Sequence, residues 1–276
     1  MKFKAAMIQM LVEGGRKSEN LARAEARIAE AAAQGAALAV LPEALDLGWT
    51  HPTAREEAEP IPEGEASVRL SQAAARHDIH VCAGLTERDG DRVYNAAVLF
   101  DSQGKLVASH RKINELKIGH ESYDPGTKLE VFSTELGAVG LMICADAFAV
   151  GEVLSNSLGY LGADIILSPC AWAVPADFDH ERTPYGELWR RVYKPVARDF
   201  SLWILGVSNV GPLDAGPWAG RKCIGCSLAV NAEGIEIAEG PFGEDADVIL
   251  YVDVETKERP ARGCGWEEHW GEDIKQ

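Results

Sequence analysis

The sequence predicts an α/β protein, and two of its patterns support that prediction. Apolar runs of strand length alternate along the 276 residues with segments that have helix-forming composition. Strands that read as near-continuous apolar runs are typical of a sheet covered by helices. Several strands in the middle and at the end of the chain are joined by hairpin turns, so we expect mixed rather than purely parallel sheets.

The first half of the chain alternates predicted strands and helices. Strands are expected at residues 2–10, 36–43 and 79–87, with helices at residues 18–33 and 66–78 between them. Ser18 is a suitable N-cap for the first helix, in which Ala, Glu and Arg dominate. Residues 93–112 read as two strands joined by a turn at residues 102–104.

The second half repeats this alternation after a polar loop. Strands are expected at residues 137–146, 163–172 and 201–211, and helices at 151–162 and 183–200, the latter kinked or broken at Pro195. A hairpin at residues 226–240 and a strand at 247–254 follow. We expect one domain over residues 1–276, with a C-terminal tail from about residue 256.

The composition limits which kinds of partner the protein can bind and indicates its cellular compartment. The 43 acidic residues exceed the 27 basic ones, which argues against nucleic acid or an anionic membrane surface as a partner and leaves a small-molecule substrate. No apolar run reaches the roughly 18 residues of a membrane span. The opening "MKFKAAMIQM" does not read as a secretory signal, and six cysteines are too sparse for a small secreted disulfide framework. These features predict a reduced, cytoplasmic protein.

Three reactive side chains come directly after apolar strands. Glu43 follows "ALAVLP", Lys112 follows "KLVASHR" and Cys144 follows "GAVGLMI". Ligand crevices of open α/β sheets form at the carboxyl ends of strands. The three types fit one mechanism, because a thiol that attacks an amide or nitrile carbon needs a base such as Glu43. Lys112 and a backbone N–H near Ala145 would then stabilise the negative charge that develops.

These motifs resemble the nitrilase superfamily of carbon–nitrogen hydrolases. The resemblance rests on "LPE", "HRK" and "GLMICAD", and on "AAMIQM", "SPCAWAVP", "ARDFSLWILGVSNVG" and "CIGCSLAVNAEG" in the expected order. It implies that Glu43 is the general base, Lys112 the cationic stabiliser and Cys144 the nucleophile. It further implies a four-layer αββα sandwich with pseudo-symmetric halves, a homodimer or higher homo-oligomer, and no metal or organic cofactor.

The activity that the resemblance implies is hydrolysis of a small amide or N-carbamoyl compound through a cysteine thioester. A nitrilase that forms acid and ammonia from a nitrile is the first alternative, and a catalytically silent binding protein is the second. An active member should carry a thiolate that reacts below the ordinary thiol pKa of about 8.5. The segment Ala147–Val150 departs from the family's Arg-Phe-Pro-Glu-like pattern and leaves the substrate open.

A second acid often shares the site of this family. The loop after Lys112 offers Glu115 and Glu121, and Glu121 is preferred because its position four residues before Pro125 resembles the aliphatic-amidase branch. Trp172 and Tyr185 are predicted to line the substrate pocket. Trp189, in the middle of a helix, is expected to belong to the core.

Other readings of the reactive side chains are weaker. Asp146 is expected to hydrogen-bond the turn after Cys144 rather than to serve as its base. The pair Cys223 and Cys226 could bind a metal or undergo redox chemistry, but residues three apart on a strand point to opposite faces. A Cys–His dyad is the remaining rival. Its candidate bases are His110, His120 and His180.

Overall fold

The computed structural model describes residues 1–257, which form fifteen strands and five α-helices. The helices are α1 (Lys17–Ala33), α2 (Ala54–Glu57), α3 (Glu65–His77), α4 (Val153–Leu161) and α5 (Glu187–Phe200). The strands of the first half are β1 (Lys2–Gln9), β2 (Leu38–Val40), β3 (His80–Asp89), β4 (Arg92–Phe100), β5 (Leu106–Arg111), β6 (Val131–Thr134) and β7 (Gly137–Leu141). The others are β8 (Ile165–Cys170), β9 (Ala173–Pro175), β10 (Trp203–Ser208), β11 (Val210–Leu213), β12 (Arg221–Ile224), β13 (Leu228–Val230), β14 (Glu236–Glu239) and β15 (Val248–Glu255).

Two six-stranded mixed sheets repeat one pattern. The first has the order β15-β1-β2-β3-β4-β5 and the second the order β14-β13-β10-β8-β7-β6. Each sheet has three parallel strands at its centre, which are β1, β2 and β3 in the first sheet and β7, β8 and β10 in the second. Two antiparallel strands follow on one side (β4 and β5; β13 and β14), and one antiparallel strand forms the other edge (β15; β6). The predicted mixed sheets and pseudo-symmetric halves are therefore confirmed.

Alternation along β1 shows how the layers are stacked. Ala6 and Ile8 pack in a cluster with the buried faces of α1 and α3, whereas Ala5 and Met7 pack with residues of the second sheet. Successive strand residues point to opposite faces, so the first sheet lies between its helices and the other sheet. Helices α4 and α5 cover the far side of the second sheet. The result is the four-layer αββα sandwich.

Some local predictions were wrong. Helix α1 begins at Lys17 with Arg16 before it, so Ser18 lies inside the first turn and is not the N-cap. Helix α5 continues through Pro195, whose side chain is exposed. Proline has no N–H, so the carbonyl one turn before it lacks its helical hydrogen bond. On the solvent-facing side of the helix this carbonyl can bind water instead, and the buried face of α5 stabilises the helix.

Two features were not anticipated. The loop after Lys112 contains β6, and a small third sheet of β11, β12 and β9 lies beside the two large ones. The predicted strand at 36–43 is regular only over β2. Most of the predicted C-terminal tail lies outside the described residues. Within residues 1–257, each helix is too short or too polar to cross a membrane.

Candidate active site

Glu43, Lys112 and Cys144 each stand just after a strand, and the charges of Glu43 and Lys112 act on the Cys144 thiol. Glu43 follows β2, Lys112 follows β5 and Cys144 follows β7. The backbone N–H of Glu43 donates to the carbonyl of Cys170 at the end of β8, 3.2 Å away, and so joins the two sheets. Gly84 of β3 lies under this segment, where a Cβ atom would stand 2.5 Å from the Cα of Glu43. The close approach therefore requires glycine.

A buried polar cluster surrounds the ammonium of Lys112. Lys112 Nζ donates to Glu43 Oε1 at 2.8 Å and to Glu115 Oε1 at 3.1 Å. Asn95 Nδ2 donates to Glu43 Oε1 at 2.6 Å and to Glu115 Oε2 at 3.3 Å. Glu43 Oε2 is buried and accepts no hydrogen bond from the described residues. Lys112 and Asn95 thus hold one oxygen of Glu43 and leave the other available as a proton acceptor.

The second acid of this cluster is Glu115, and the preferred Glu121 lies outside it. Glu115 is 7% exposed and bonds Lys112, whereas Glu121 is an exposed residue whose carbonyl accepts from Arg55. A short 3-10 helix at Lys117–Glu121 turns the chain between the two acids. Spacing before the proline could not reveal this turn, which directs Glu115 inward and leaves Glu121 at the surface.

Burial and neighbouring charges shift the pKa values of Glu43 and Lys112. Burial raises the pKa of Glu43 against the opposing charge of Lys112, and the Glu115 carboxylate adds to the rise. Burial alone would lower the pKa of Lys112, but the carboxylates of Glu43 and Glu115 raise it well above its ordinary value. Lys112 therefore stays a cation, while Glu43 is a stronger base than an exposed carboxylate.

Cys144 begins a tight turn directly after β7. Its φ of 44° lies in the left-handed region, which non-glycine residues rarely adopt and which is typical of strained functional positions. The residues Cys144–Phe148 form a 3-10 turn, with the backbone N–H of Ala145 at its start. The thiol is presented at the strand end with only 8% of the residue exposed.

The expected low pKa of Cys144 is not found. A hydrogen bond with the thiol of Cys170, burial and the charge of Glu43 raise the pKa of Cys144, and Lys112 only partly opposes them. The resting group is therefore a neutral thiol. Removal of its proton must accompany attack, and this requires an adjacent base.

Asp146 fastens the turn of Cys144 to the segment after Lys112. Its Oδ1 accepts the backbone N–H groups of Ile113 (3.0 Å) and Asn114 (2.7 Å), and its Oδ2 accepts that of Ile143 (2.9 Å). Asn114 also donates to the carbonyl of Ala145 at 2.6 Å. The expected structural role of Asp146 agrees with these contacts.

The histidines do not form a dyad with the thiol. His110 Nε2 lies 2.9 Å from Asp146 Oδ2 and contributes to the low pKa of that carboxyl, although burial acts in the opposite direction. His120 is exposed, and His180 stacks on Phe242 with ring centroids 4.0 Å apart. The available base in this cluster is Glu43.

Aromatic side chains form one wall near Cys144. Trp172 is 2% exposed and stacks on Trp189, with centroids 4.5 Å apart. Tyr185 lies 6.1 Å from Trp172 between ring centroids and accepts a hydrogen bond from Trp189 Nε1 at 3.0 Å. Burial and the neighbouring thiols, Cys144 among them, raise the pKa of Tyr185. Trp189 is buried, as expected of a core residue, yet belongs to the same wall.

The cysteine pair after β11 shows no metal-binding arrangement. Cys223 lies on β12 and Cys226 beyond its end, and burial raises the pKa of each thiol to about 12. No group of three His, Cys, Asp or Glu side chains within residues 1–257 is placed to hold a metal ion.

Sequence reasoning missed Asn95 and Trp49. Asn95 is a buried amide inside the apolar run "VYNAAVLF" of β4, and a lone polar residue in such a run is a usable signal. Trp49 places its ring centroid 5.5 Å from Lys112 Nζ, and its own N–H, also buried, has no acceptor among the described residues. Nothing in its local sequence marks Trp49.

Comparison with known proteins agrees with this architecture. The family model "Carbon-nitrogen hydrolase" matches residues 4–261. The chain is 35% identical over 199 residues to a protein of Pyrococcus abyssi named nitrilase, covering 70% of this chain and 74% of that one. It is 36% identical over 155 residues to an omega-amidase of Danio rerio, covering 52% of this chain and 55% of that protein.

A solved structure from the same superfamily also resembles the whole fold. It is a nitrilase-superfamily member of Saccharomyces cerevisiae, with 26% identity and a TM-score of 0.77 over 92% of this chain and 90% of that one. Two mixed sheets covered by helices, with a thiol, a carboxylate and an ammonium at their strand ends, define the class. The chain belongs to the carbon–nitrogen hydrolase family.

Proposed function

We propose that this chain hydrolyses a non-peptide C–N bond in a small amide or N-carbamoyl compound, with Cys144 as nucleophile. One observation supports this above all. The buried Glu43 bonds Lys112 through one oxygen at 2.8 Å and keeps its other oxygen unpartnered among the described residues, and its charge acts on the thiol of the strained Cys144. Relatives named omega-amidase add support for an amide.

The first half-reaction forms a thioester. Glu43 Oε2 takes the proton of Cys144 while the sulfur attacks the amide carbon. The Lys112 ammonium and the N–H of Ala145 stabilise the oxygen that becomes negative, and loss of one such donor costs on the order of 3 kcal/mol of barrier. The tetrahedral intermediate collapses, and Glu43 returns the proton to the departing ammonia or amine.

The second half-reaction releases the acid. Glu43 removes a proton from water, which attacks the thioester carbon, and the proton then returns to the sulfur of Cys144. Glu115 contributes by fixing the Lys112 ammonium between two carboxylates, so that it faces the reacting oxygen. Trp172 and Tyr185 supply an aromatic wall against the acyl group.

The test is an ammonia-release screen over amides and N-carbamoyl compounds, combined with intact mass spectrometry. A turned-over amide should leave a transient adduct equal in mass to the substrate less ammonia, and this adduct should be absent in Cys144→Ala. Turnover that persists in Cys144→Ala, or the lack of any turnover across a broad panel, would contradict the proposal.

A nitrile substrate is the second candidate, because one relative is named nitrilase. Attack of Cys144 on a nitrile gives a thioimidate, which takes up water, loses ammonia and becomes the same thioester. Nitriles of matched acyl groups belong in the same panel. Formation of free acid from a nitrile would favour this candidate, whereas turnover of the amides alone would exclude it.

A further inference from the structure

A second thiol lies beside Cys144 because of the strand register. Strands β7 and β8 are parallel neighbours in which Leu141 pairs with Leu167, and the N–H of Met142 donates to the carbonyl of Leu167 at 3.2 Å. Cys170 is the last residue of β8, and Cys144 begins the 3-10 turn that follows β7 and packs against β8. Both cysteines therefore lie at the carboxyl edge of the second sheet, and both belong to one buried cluster.

Cys170 is enclosed by protein on every side. It is 0% exposed, and its Sγ lies 3.2 Å from the carbonyl oxygen and 3.4 Å from the hydroxyl of Ser168. Its side chain also interacts with the thiol of Cys144. The chemistry proposed above gives Cys170 no part, although it is the thiol that contacts the proposed nucleophile.

We propose that Cys170 is a resolving thiol, which converts peroxide-oxidised Cys144 into a reversible Cys144–Cys170 disulfide. The inference rests on the proposed function only in taking Cys144 as the reactive thiol. Adjacent strands lie about 5 Å apart, within the roughly 4.4–6.8 Å between Cα atoms that a disulfide spans, and Cys144 and Cys170 stand at the ends of two such strands.

The oxidation is balanced with hydrogen peroxide as the only oxidant. Glu43 takes the thiol proton, the sulfur of Cys144 attacks one peroxide oxygen, and the O–O bond breaks to leave a sulfenic acid and water. The thiol of Cys170 then attacks that sulfur, the S–OH bond breaks, and the hydroxide leaves with the Cys170 proton as water. A small external dithiol reduces the disulfide and restores both thiols.

The expected consequence is protection of the nucleophile. A sulfenic acid with no partner proceeds with further peroxide to sulfinic acid, which common thiols do not reduce. Closure within the buried cluster competes with that step, because Cys170 is already in contact. Exposure to peroxide should therefore switch the protein off and a dithiol should switch it on again.

The test compares the wild type with Cys170→Ala, Cys170→Ser and the matched control Cys82→Ala, a buried thiol of β3. After a limited dose of peroxide, the wild type and the control should lose two hydrogen atoms by intact mass. Peptide mapping without reductant should link Cys144 to Cys170, and dithiothreitol should restore most of each protein's own starting activity. Both Cys170 variants should instead gain two oxygen atoms at Cys144 and fail to recover.

Sulfinic acid at Cys144 in the wild type at the rate seen in Cys170→Ala, or a link between other cysteines, would overturn the inference. The mass readout does not depend on turnover. A Cys144–Cys170 disulfide in a protein that hydrolyses no C–N bond would therefore contradict only the proposed function. Hydrolysis of a C–N bond without that disulfide would contradict only the resolving role of Cys170.

Discussion

Residue by residue, the site depends on which side chains share the ammonium of Lys112. Glu43 and Glu115 each accept from Nζ, and Asn95 bonds both carboxylates from the other side. An ammonium held by two buried acids keeps its charge and its direction when substrate enters. Glu43 keeps a free oxygen only because the other donors of the cluster use Oε1.

Replacing Glu115 should show whether its hydrogen bond to Lys112 matters for activity, beyond the loss of one negative charge. Glu115→Gln removes a charged acceptor from Lys112, and such a bond is worth about 1.5–3 kcal/mol, or roughly 10–100-fold in kcat. The matched change Glu121→Gln, on the same loop but exposed, should leave kcat within about twofold of wild type. Steady-state kinetics on one amide substrate checks both. Equal effects of the two changes would contradict the arrangement.

The acid limb of activity should lie above the range of an ordinary carboxyl group. Glu43 can accept the thiol proton only when ionised, and its folded-state pKa is raised. Activity should therefore be full above that pKa and be lost as the pH falls through it, at a midpoint higher than about 4.3. The measurement is kcat/KM against pH.

Glu115→Gln supplies the internal check on this limb. The negative charge of Glu115 contributes to the raised pKa of Glu43, so its removal should move the acid limb to lower pH. A limb that stays in place in the variant, or a wild-type limb at ordinary carboxyl values, would argue against Glu43 as the base.

The sequence predicts the three strand-end residues because strand position and chemical type are both local signals. Glu43, Lys112 and Cys144 each follow an apolar run. The choice between Glu115 and Glu121 depends instead on a single 3-10 turn, which local spacing does not encode. The low pKa expected for Cys144 fails for a similar reason, since the Cys170 contact arises from pairing between distant segments.

At the scale of elements, one contact within the first sheet and one between the two sheets fix the site. The segment after β2 crosses Gly84 of β3 at near-contact distance, and its backbone bonds the end of β8. The existence of most strands could be predicted from apolar runs, but their order within the sheets could not. The third sheet could not, because β9 and β12 are too short to show a period.

Adding one methyl group at Gly84 should therefore misplace Glu43. In Gly84→Ala the new Cβ would lie 2.5 Å from Glu43 Cα and 2.8 Å from the Pro42 carbonyl, so backbone must shift. A displacement near 1 Å at a catalytic group costs on the order of 100-fold in rate. We expect kcat to fall by about that factor. The free energy of unfolding should also fall, by about 1–3 kcal/mol.

Gly35→Ala is the control for this change. Gly35 has a positive φ of 78°, and a Cβ there would meet nothing within 4 Å. Its cost should be backbone strain alone, visible in thermal unfolding and not in kcat. Wild-type kcat in Gly84→Ala would show that the crossing does not position Glu43.

For the whole molecule, the acidic surface and one apolar face together point to self-association. The chain carries a net charge of −16, yet helix α4 has no charged residue. Around it lie Val150 (96% exposed), Val153 (53%), Tyr160 (63%) and Leu161 (45%), which we call the α4 face. Most of the surface of an acidic protein repels its own copy, whereas helix α4, which carries no charged residue after Glu152 at its N-cap, does not. A second copy of this chain is therefore the partner that we propose.

The α4 face is also joined to the turn that carries Cys144. Ser155 of α4 donates to the carbonyl of Ala147 at 2.8 Å, and Val150 comes two residues after the end of that turn. The departure from the family pattern at Ala147–Val150 thus leads from the nucleophile to the exposed face. Pairing of two α4 faces would stabilise the turn, and separation of the copies would loosen it.

A charge placed on the α4 face should therefore dissociate the protein and lower its activity together. Wild type should sediment at twice the mass of one chain or more, and Tyr160→Glu, which puts a carboxylate against its symmetry mate, should sediment as a monomer with reduced kcat. Ile237→Glu, 45% exposed on β14, is the matched control and should change neither property. The measurements are sedimentation velocity and an amidase assay on the same samples. A monomeric wild type, or a Tyr160→Glu variant that remains an oligomer of unchanged mass, would exclude the α4 face as the contact between copies.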